Sequence, residues 1–244
     1  MIDVKNLTKI FPHSNTPAVD NISFNLDVGQ IGCLIGTSGC GKTTTLKMLN
    51  KLIEPSSGTI KINNQETQNL DAVDLRRKIG YVIQKAGLFP HMTIQENISI
   101  LSTILKREKR EIKSRVSELL DLVRLSYSEF AHRYPSELSG GQQQRVGIAR
   151  ALMENPPVLL MDEPFGALDP LTKDSMHDEF YNLNRKLGKT ILIVTHDLTE
   201  AFKLGDKVLL MDNGSIVQAG TKSDFINSPV NDFVKDFIKG NDCE

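Results

Sequence analysis

Short runs of apolar, mostly β-branched residues recur along the chain, each followed by a glycine-rich or acidic turn. They cover residues 31–35, 79–83, 158–161, 190–194 and 207–211. Continuous apolar runs of this length are typical of strands buried in a parallel sheet. Helical stretches at 43–52, 142–153 and 171–187 alternate with them. The predicted fold class is therefore α/β.

Other segments predict a second β layer. Residues 2–4, 22–26 and 59–63 alternate apolar and polar positions in the manner of strands. The pair Asn213-Gly214, between runs at 207–211 and 215–218, is a type I′ hairpin signal. We expect an antiparallel β layer beside the main sheet.

A charged stretch in the middle of the chain has the periodicity of a helix. Its apolar positions follow the spacing of an amphipathic helix, at Ile112, Val116, Leu119, Leu120 and Val123. We predict a helical subdomain at 100–136. Because no repeat or linker divides the sequence, 1–244 is predicted to be one domain: a core at 1–99 and 137–222, and a short C-terminal tail at 223–244.

Composition and charge give no support to several kinds of partner and site. The 29 basic and 30 acidic residues nearly balance, so charge favours neither nucleic acid nor anionic lipid as the main partner. The three cysteines, Cys33, Cys40 and Cys243, lack paired spacing, which disfavours a disulfide framework and a zinc cluster. The N-terminus lacks the apolar core of a signal peptide, and no run approaches the ~20 apolar residues of a membrane span. We expect any membrane association to come through a partner.

Residues 36–43 match the phosphate-loop pattern G-x-x-x-x-G-K-[ST], between a predicted strand and a predicted helix. Glycines let the backbone N–H groups point at one anion, and the helix adds its positive N-terminal end. Lys42 would then meet the β- and γ-phosphates of ATP. The residues expected to bind the nucleotide here are Gly36, Thr37, Ser38, Gly39, Cys40, Gly41, Lys42, Thr43 and Thr44.

Two acidic residues follow the strand at 158–161. The Thr43 hydroxyl and the Asp162 carboxylate are the expected ligands of Mg²⁺. Glu163 is then placed to polarise the attacking water. The other interpretations of Glu163 are a second metal ligand and a structural acid.

Residues 138–142, Leu-Ser-Gly-Gly-Gln, are the segment that identifies the ATP-binding cassette (ABC) ATPases. With three further matches in the right order, the chain resembles this family over nearly its whole length. The resemblance implies a phosphate-loop NTPase core. Ser139, Gly140, Gly141 and Gln142 open a helix and form a second anion-binding end. In this family two chains pair head-to-tail and sandwich two ATP molecules.

The resemblance also assigns roles to four further residues. Gln84 would link Mg²⁺ and the attacking water to the transmembrane partner, and His196 would contact the γ-phosphate and orient Glu163. Asp169 matches the loop that crosses the dimer interface, and Phe11 matches the aromatic residue that stacks on adenine. The alternatives are a polar strand end for Gln84, an ordinary histidine for His196 and a core side chain for Phe11.

For the cargo, residues 79–98 and 162–180 resemble the importer ATPases for osmoprotectants such as glycine betaine, choline and carnitine. This implies permease subunits, a substrate-binding protein and a peripheral location at the cytoplasmic face of the plasma (inner) membrane. We expect the apolar segment 86–94 to expose Leu88 and Phe89 as the surface for the permease. Many relatives carry regulatory domains of the cystathionine-synthase type, and the end of this sequence at Glu244 argues against ionic-strength sensing through them.

Two alternatives remain open, and two others are disfavoured. The chain could serve an importer for nitrate, a sulfonate or an amino acid, and it could pair with itself or with a related ATPase. A non-transport ABC ATPase acting on nucleic acid would need a coiled-coil insertion or two cassettes, neither of which the sequence contains. A binding module without hydrolysis is disfavoured by Glu163 and His196. We expect no nucleic-acid partner.

The first testable prediction concerns Cys40, which lies within the phosphate loop. A maleimide attached to this thiol should block nucleotide binding and inactivate the protein, and MgATP should protect it. Mass spectrometry of the labelled chain and an ATPase assay measure both effects. A fully labelled chain with full activity would contradict the prediction.

Overall fold

The computed structural model describes residues 1–84, 87–166 and 168–241. A six-stranded sheet forms its centre. The strands are β3 (Ile31–Gly36), β6 (Ile79–Val82), β7 (Val158–Asp162), β8 (Thr190–Val194), β9 (Lys207–Asp212) and β10 (Ser215–Gly220), in the order β10-β9-β3-β8-β7-β6. All neighbours pair in parallel except β9 and β10. The predicted parallel sheet is confirmed.

A smaller antiparallel sheet lies beside the main one. Its strands are β1 (Ile2–Lys9), β2 (Val19–Leu26), β4 (Ser57–Ile62) and β5 (Gln65–Glu66), in the order β2-β1-β4-β5. The predicted antiparallel layer is therefore present. The hairpin at Asn213 and Gly214, with φ angles of 45° and 84°, instead joins β9 to β10 at the edge of the main sheet.

Helices cover the main sheet and follow most of its strands. They are α1 (Lys42–Leu49), α2 (Ala72–Arg77), α3 (Ile94–Ile104), α4 (Lys109–Leu122), α5 (Tyr127–Phe130), α6 (Gly140–Leu152), α7 (Pro170–Leu187), α8 (Leu198–Leu204), α9 (Lys222–Asn227) and α10 (Asp232–Asn241). None of the helices in the described ranges combines the length and the apolarity needed to cross a bilayer.

The core lies on both faces of the main sheet. Along β3, Ile31, Cys33 and Ile35 belong to the cluster that packs under the helices. Leu34, which points the opposite way, belongs to the cluster shared with the antiparallel sheet and α1. Because both faces are covered, every residue of β3 is buried. This explains the uninterrupted apolar pattern of the run.

The helical insertion contains α3, α4 and α5. The apolar face of α4 is buried through Val116, Leu119 and Leu120, as its spacing predicts. Helix α3 begins at Ile94, ahead of the predicted boundary at 100, because Thr93 and Glu96 form a capping box there.

The C-terminal segment, predicted to be a short tail, contains two helices. In α9, Phe225 is fully buried, and its ring lies 5.9 Å from that of Phe202. In α10, Val234 is also fully buried. This segment is therefore part of the folded unit as far as residue 241.

Candidate functional site

The loop between β3 and α1 is shaped by glycines at positions where a side chain does not fit. Gly36 and Gly41 have φ angles of 143° and 108°. A Cβ atom on Gly36 would lie 2.0 Å from the Met211 carbonyl oxygen, and one on Gly41 would lie 2.4 Å from the Ala18 carbonyl oxygen. The loop passes so close to these two carbonyl oxygens that both positions require glycine.

Lys42, the first residue of α1, lies at the centre of this loop and is 8% exposed. Its Nζ donates hydrogen bonds of 2.8 Å each to the carbonyl oxygens of Gly36 and Thr37. No side chain caps α1, so the backbone N–H groups of its first turn remain available to an anion. The positive charge of Lys42 and the available N–H donors of α1 thus lie at the same end of the helix.

This loop forms one wall of a cleft of about 420 Å³. The cleft brings the predicted phosphate-binding residues together with three residues from elsewhere in the sequence. Its lining residues are Ser38, Gly39, Gly41, Lys42, Thr43, Thr44, Gln84, Glu163 and His196. The sheet topology is responsible, because the ends of β3, β6, β7 and β8 lie along one edge.

The predicted metal ligands Thr43 and Asp162 are in contact. The Thr43 hydroxyl donates to Asp162 Oδ1 at 3.2 Å. Burial raises the pKa of Asp162, the Thr43 hydrogen bond opposes this, and the charge of Glu163 raises it further. A bound cation would favour the ionised form of this carboxyl group. The hydroxyl and carboxylate oxygens therefore fit Mg²⁺, which prefers oxygen ligands.

These residues do not form a complete metal cage by themselves. Within the described part of the chain, no group of three or more His, Cys, Asp or Glu side chains could hold a metal ion. A magnesium site at Thr43 and Asp162 would therefore take further ligands from phosphate oxygens and water, as is usual for Mg²⁺ in nucleotide sites.

Glu163 is held in an unusual backbone conformation beside Asp162. Its φ angle is 46°, in the left-handed region that non-glycine residues rarely occupy. The N–H group donates to the Val194 carbonyl oxygen at 2.8 Å, which ties the residue to the end of β8. The strained conformation is thus stabilised by the neighbouring strand.

The Glu163 carboxylate joins two of the predicted site residues. Gln84 Nε2 donates to Glu163 Oε2 at 2.7 Å, and His196 Nδ1 lies 3.2 Å from Glu163 Oε1. Gln84 follows β6 and His196 follows β8. Three side chains from three strand ends therefore form one hydrogen-bonded group in the cleft.

One residue that touches this group was not predicted from the sequence. Gln144, in α6, is 2% exposed, and its Nε2 donates to the Glu163 carbonyl oxygen at 3.3 Å. The Gly166 N–H donates to the same oxygen at 3.2 Å. A glutamine on the buried face of α6, four positions before the buried Ile148, is the signal that could have identified it.

The Leu-Ser-Gly-Gly-Gln segment opens α6 as predicted. Ser139 caps the helix: its hydroxyl accepts from the Gln142 N–H at 3.3 Å, and Gln142 Oε1 accepts from the Ser139 N–H at 2.9 Å. A Cβ atom on Gly141 would lie 2.5 Å from Leu168 Cδ2, so a larger residue would clash there. The capping box and the glycines together shape an exposed helix start.

This helix start lines a second cleft, of about 480 Å³. Asp169 also lines it and caps α7 by accepting from the Thr172 N–H at 3.0 Å. The lining residues are Arg124, Leu125, Phe130, Ser139, Gly140, Gly141, Gln142, Arg145, Leu168, Asp169 and Thr172, none of which lines the first cleft. One chain thus carries its two predicted nucleotide-binding segments in separate places.

Five predicted site residues lie outside both groups of lining residues: Phe11, Gly36, Thr37, Cys40 and Asp162. Phe11 is 38% exposed, which rules out a core position, and Lys9 Nζ lies 5.3 Å from the centre of its ring. Cys40 is 4% exposed, and its Sγ lies 3.6 Å from Lys42 Nζ. Labelling of Cys40 therefore requires the phosphate loop to open. Cys243 lies outside the described residues.

The loop after Gln84 differs from its predicted form. Lys85 and Ala86 lie outside the described residues. Leu88, predicted to be exposed, is half-buried and packs against the main core, because the chain folds back here onto α3. Phe89 is 40% exposed, and its N–H donates to Asn97 Oδ1 at 2.7 Å. The predicted apolar surface is therefore smaller than the sequence suggested.

Comparisons with known proteins agree with this geometry. The model of the ABC transporter family matches residues 19–166. The osmoprotectant import ATP-binding protein OsmV of Salmonella typhimurium is 51% identical over 98% of this chain and 63% of its own length. The choline transport ATP-binding protein OpuBA of Bacillus subtilis is 52% identical over 98% and 62%. The chain thus spans less than two thirds of these curated relatives.

A solved structure shows the same architecture. It is a dimeric ATP-binding cassette in a post-hydrolysis state, bound to ADP and Pi. It is 36% identical to this chain, has a TM-score of 0.82, and the match covers 91% of this chain and 98% of that one. This agreement confirms the predicted fold class, a phosphate-loop ABC core.

The burial of Asp162 leads to a prediction about stability. Its folded-state pKa is raised, so the ionised carboxylate destabilises the fold, and this penalty grows as pH rises through the unfolded and folded pKa values. Asp162→Asn should therefore raise the melting temperature of the nucleotide-free chain at pH 8. The variant should also lose the MgATP-dependent stabilisation, about 2.7 kcal/mol for a ligand at 100 times its Kd.

Thermal unfolding followed by circular dichroism, with and without MgATP, measures both parts. Asp174→Asn, at an exposed carboxylate whose pKa is lowered by Lys203, is the matched control and should lower the melting temperature instead. An Asp162→Asn chain that melts below the wild type, or that is stabilised by MgATP as strongly as the wild type, would contradict the prediction.

Proposed function

The chain belongs to the ABC transporter family, and from this we propose that it is the ATP-hydrolysing subunit of an ABC importer. The observation that carries the proposal is the separation of its two nucleotide-binding segments. The phosphate loop and the start of α6 line different clefts of one chain. Each cleft therefore holds half of a nucleotide site, and a second chain supplies the other half.

In the proposed dimer, two chains face each other head-to-tail. The phosphate loop of one chain binds the phosphates of ATP, and Ser139, Gly140 and Gly141 of the other chain approach the same nucleotide. The dimeric cassette with ADP and Pi supports this arrangement. The start of α6 at Ser139 also supports it, because this anion-binding helix end lies in a different cleft from the phosphate loop of its own chain. The second chain is a copy of this one or a related ATPase.

For hydrolysis, Thr43, Asp162 and Gln84 would hold Mg²⁺ with the phosphates. The metal supplies positive charge that neutralises the phosphate oxygens. Glu163 accepts the proton of the attacking water, because its carboxylate is hydrogen-bonded in the cleft and not used by the metal pair Thr43 and Asp162. His196 orients this carboxylate and contacts the γ-phosphate, and Gln84 positions the water.

The proposed partners are permease subunits of the membrane and a substrate-binding protein outside it. A groove of about 260 Å³ between α2 and α3 is a candidate permease contact. Val73 and Ile104 line it and are 52% and 62% exposed, so the groove presents two neighbouring apolar side chains to a partner. Docking there would place the subunit at the cytoplasmic face of the membrane and transmit dimer closure to the transport path.

The proposed cargo is an osmoprotectant with a quaternary ammonium group. The relatives at 51% and 52% identity are named for osmoprotectant import and choline transport. The ATPase subunit does not touch the cargo, so this part of the proposal rests on likeness and the hydrolytic part on the cleft geometry.

The role of Glu163 is tested by Glu163→Gln. The amide cannot accept the water's proton, so ATP hydrolysis should fall at least about 100-fold while ATP still binds. The variant should accumulate as an ATP-bound dimer. Size-exclusion chromatography with light scattering, with and without MgATP, measures the change, and Glu179→Gln, a half-buried carboxylate in α7 paired with Arg124, is the control.

A shift from monomer to dimer that requires MgATP supports the sandwich and the role of Glu163 together. Normal turnover in Glu163→Gln would refute the role of this carboxylate. Bound ATP without a dimer, in a variant that does not hydrolyse, would contradict pairing by the isolated chain.

The cargo is tested in cells that make this chain with its transporter. Deletion of the gene should lower the uptake of radiolabelled glycine betaine, choline or carnitine. The wild-type gene should restore this uptake and the Glu163→Gln gene should not. Unchanged uptake of all three, together with lower uptake of nitrate, a sulfonate or an amino acid, would contradict the proposed cargo.

A further inference from the structure

A cluster of charged side chains joins α7 to the start of α8, behind the first cleft. Lys173 Nζ lies 2.5 Å from Asp197 Oδ2 and 3.1 Å from Glu200 Oε2. Glu200 is 2% exposed, and the buried His177 places its Nε2 3.6 Å from Glu200 Oε2. One lysine thus faces two carboxylates from the neighbouring helix.

Asp197 is the residue after His196, and both of its carboxylate oxygens are used. Oδ1 caps α8 by accepting from the Glu200 N–H at 3.0 Å, and Oδ2 accepts from Lys173 Nζ. Its backbone N–H donates to Thr195 Oγ1 at 3.1 Å. The backbone next to His196 is therefore held by a charged hydrogen bond from α7.

The other end of this connection lies at the second cleft. The Lys173 N–H donates to the Asp169 carbonyl oxygen at 2.8 Å, in the first turn of α7. Asp169 lines the second cleft, and His196 lines the first. The path from Asp169 through Lys173 and Asp197 to His196 thus crosses from one half-site to the other within one turn of helix.

Burial of this cluster also lowers the free energy of unfolding, because some of its polar atoms lack hydrogen-bond partners in the described part of the chain. Glu200 Oε1 and His177 Nε2 have no hydrogen-bond partner among the described residues. The His177 ring packs against the ring of Phe165, with 4.9 Å between the ring centres, and Phe165 lies two residues after Glu163. Buried ion pairs often stabilise a protein less than apolar residues of similar size would, so their value often lies in holding a particular geometry.

We propose that Lys173 is a positioning residue for His196, acting through Asp197. The inference rests on the proposed ATPase function, because positioning of His196 matters to catalysis when the cleft hydrolyses ATP. Among the described residues, the Lys173 side chain forms its ion pairs with Asp197 and Glu200, neither of which lines the first cleft. Its effect on hydrolysis therefore passes through the backbone at 196–197.

The chain offers a close control for a simple clamping role. Lys203, in α8, forms ion pairs of 2.6 Å with Asp174 and 2.9 Å with Asp178, both in α7. It joins the same two helices on their exposed side, away from His196. If the cluster served to hold α7 against α8, both lysines would have similar effects.

The experiment compares Lys173→Met and Lys203→Met in the full-length chain. Hydrogen exchange of the amides of residues 195–200 should become about tenfold faster in Lys173→Met, because a charged hydrogen bond to this segment, which does not contain Lys203, is lost. In steady-state ATPase assays the kcat of the same variant should fall about 10- to 100-fold, with the KM for ATP within about twofold of the wild type. Lys203→Met should change neither.

Two further variants separate positioning from general destabilisation. Lys173→Arg keeps the positive charge and should recover most of kcat. In the Asp197→Asn background, Lys173→Met should have little additional effect on kcat, because the lysine acts through this carboxylate. Equal effects of both lysines, or a full effect of Lys173→Met in the Asp197→Asn chain, would overturn the inference.

The proposed function and this inference fail in different ways. A wild-type chain that binds MgATP without hydrolysing it counts against the proposed function, and the exchange of residues 195–200 still decides whether Lys173 anchors the segment. A wild-type chain that hydrolyses ATP, with unchanged exchange and kcat in Lys173→Met, overturns the inference alone.

Discussion

Four adjacent strands of the main sheet, β6, β7, β8 and β3, run in the same direction, so the loops that follow them leave from one edge. This parallel pairing is the constraint on which the site depends. It brings Gln84, Glu163 and His196 to the cleft of the phosphate loop and Asp162 to Thr43, although they are far from the loop in the sequence. The helices and the antiparallel sheet bury both faces of this sheet and keep the strand ends in register.

Two adjacent carboxylates acquire different properties from their surroundings. Asp162 ends β7, is 7% exposed, and points toward the Thr43 hydroxyl. The positive φ of Glu163 turns the chain sharply, and its carboxylate meets Gln84 and His196 instead. Neighbouring residues in a strand would point in opposite directions, and the left-handed turn allows both to serve one cleft. The strain at Glu163 is thus linked to the separation of metal binding from proton transfer in the proposed mechanism.

The two clefts of one chain are connected inside the fold even though they lie apart. Helix α6 begins in the second cleft and touches the Glu163 carbonyl oxygen through Gln144. Helix α7 begins there too, and Lys173 reaches the residue beside His196. In the proposed dimer, each nucleotide would contact the starts of α6 and α7 of the partner chain. Within that chain, Gln144 and Lys173 link these helices to the residues at the other nucleotide. Such connections provide a physical route by which the two sites could be coupled.

Local patterns in the sequence determined the strands of the main sheet, the amphipathic face of α4, the phosphate loop and the helix start at Ser139, because each depends on residues close together in the chain. The hairpin at Asn213 and Gly214 is of the same kind, although its place at the edge of the main sheet was decided by pairing with β3. Tertiary structure alone decided the burial of Leu88 and Cys40, the contact of Gln144 with Glu163, and the packing of α9 and α10. These features depend on which distant segments meet, and the pattern of a single segment does not contain that information.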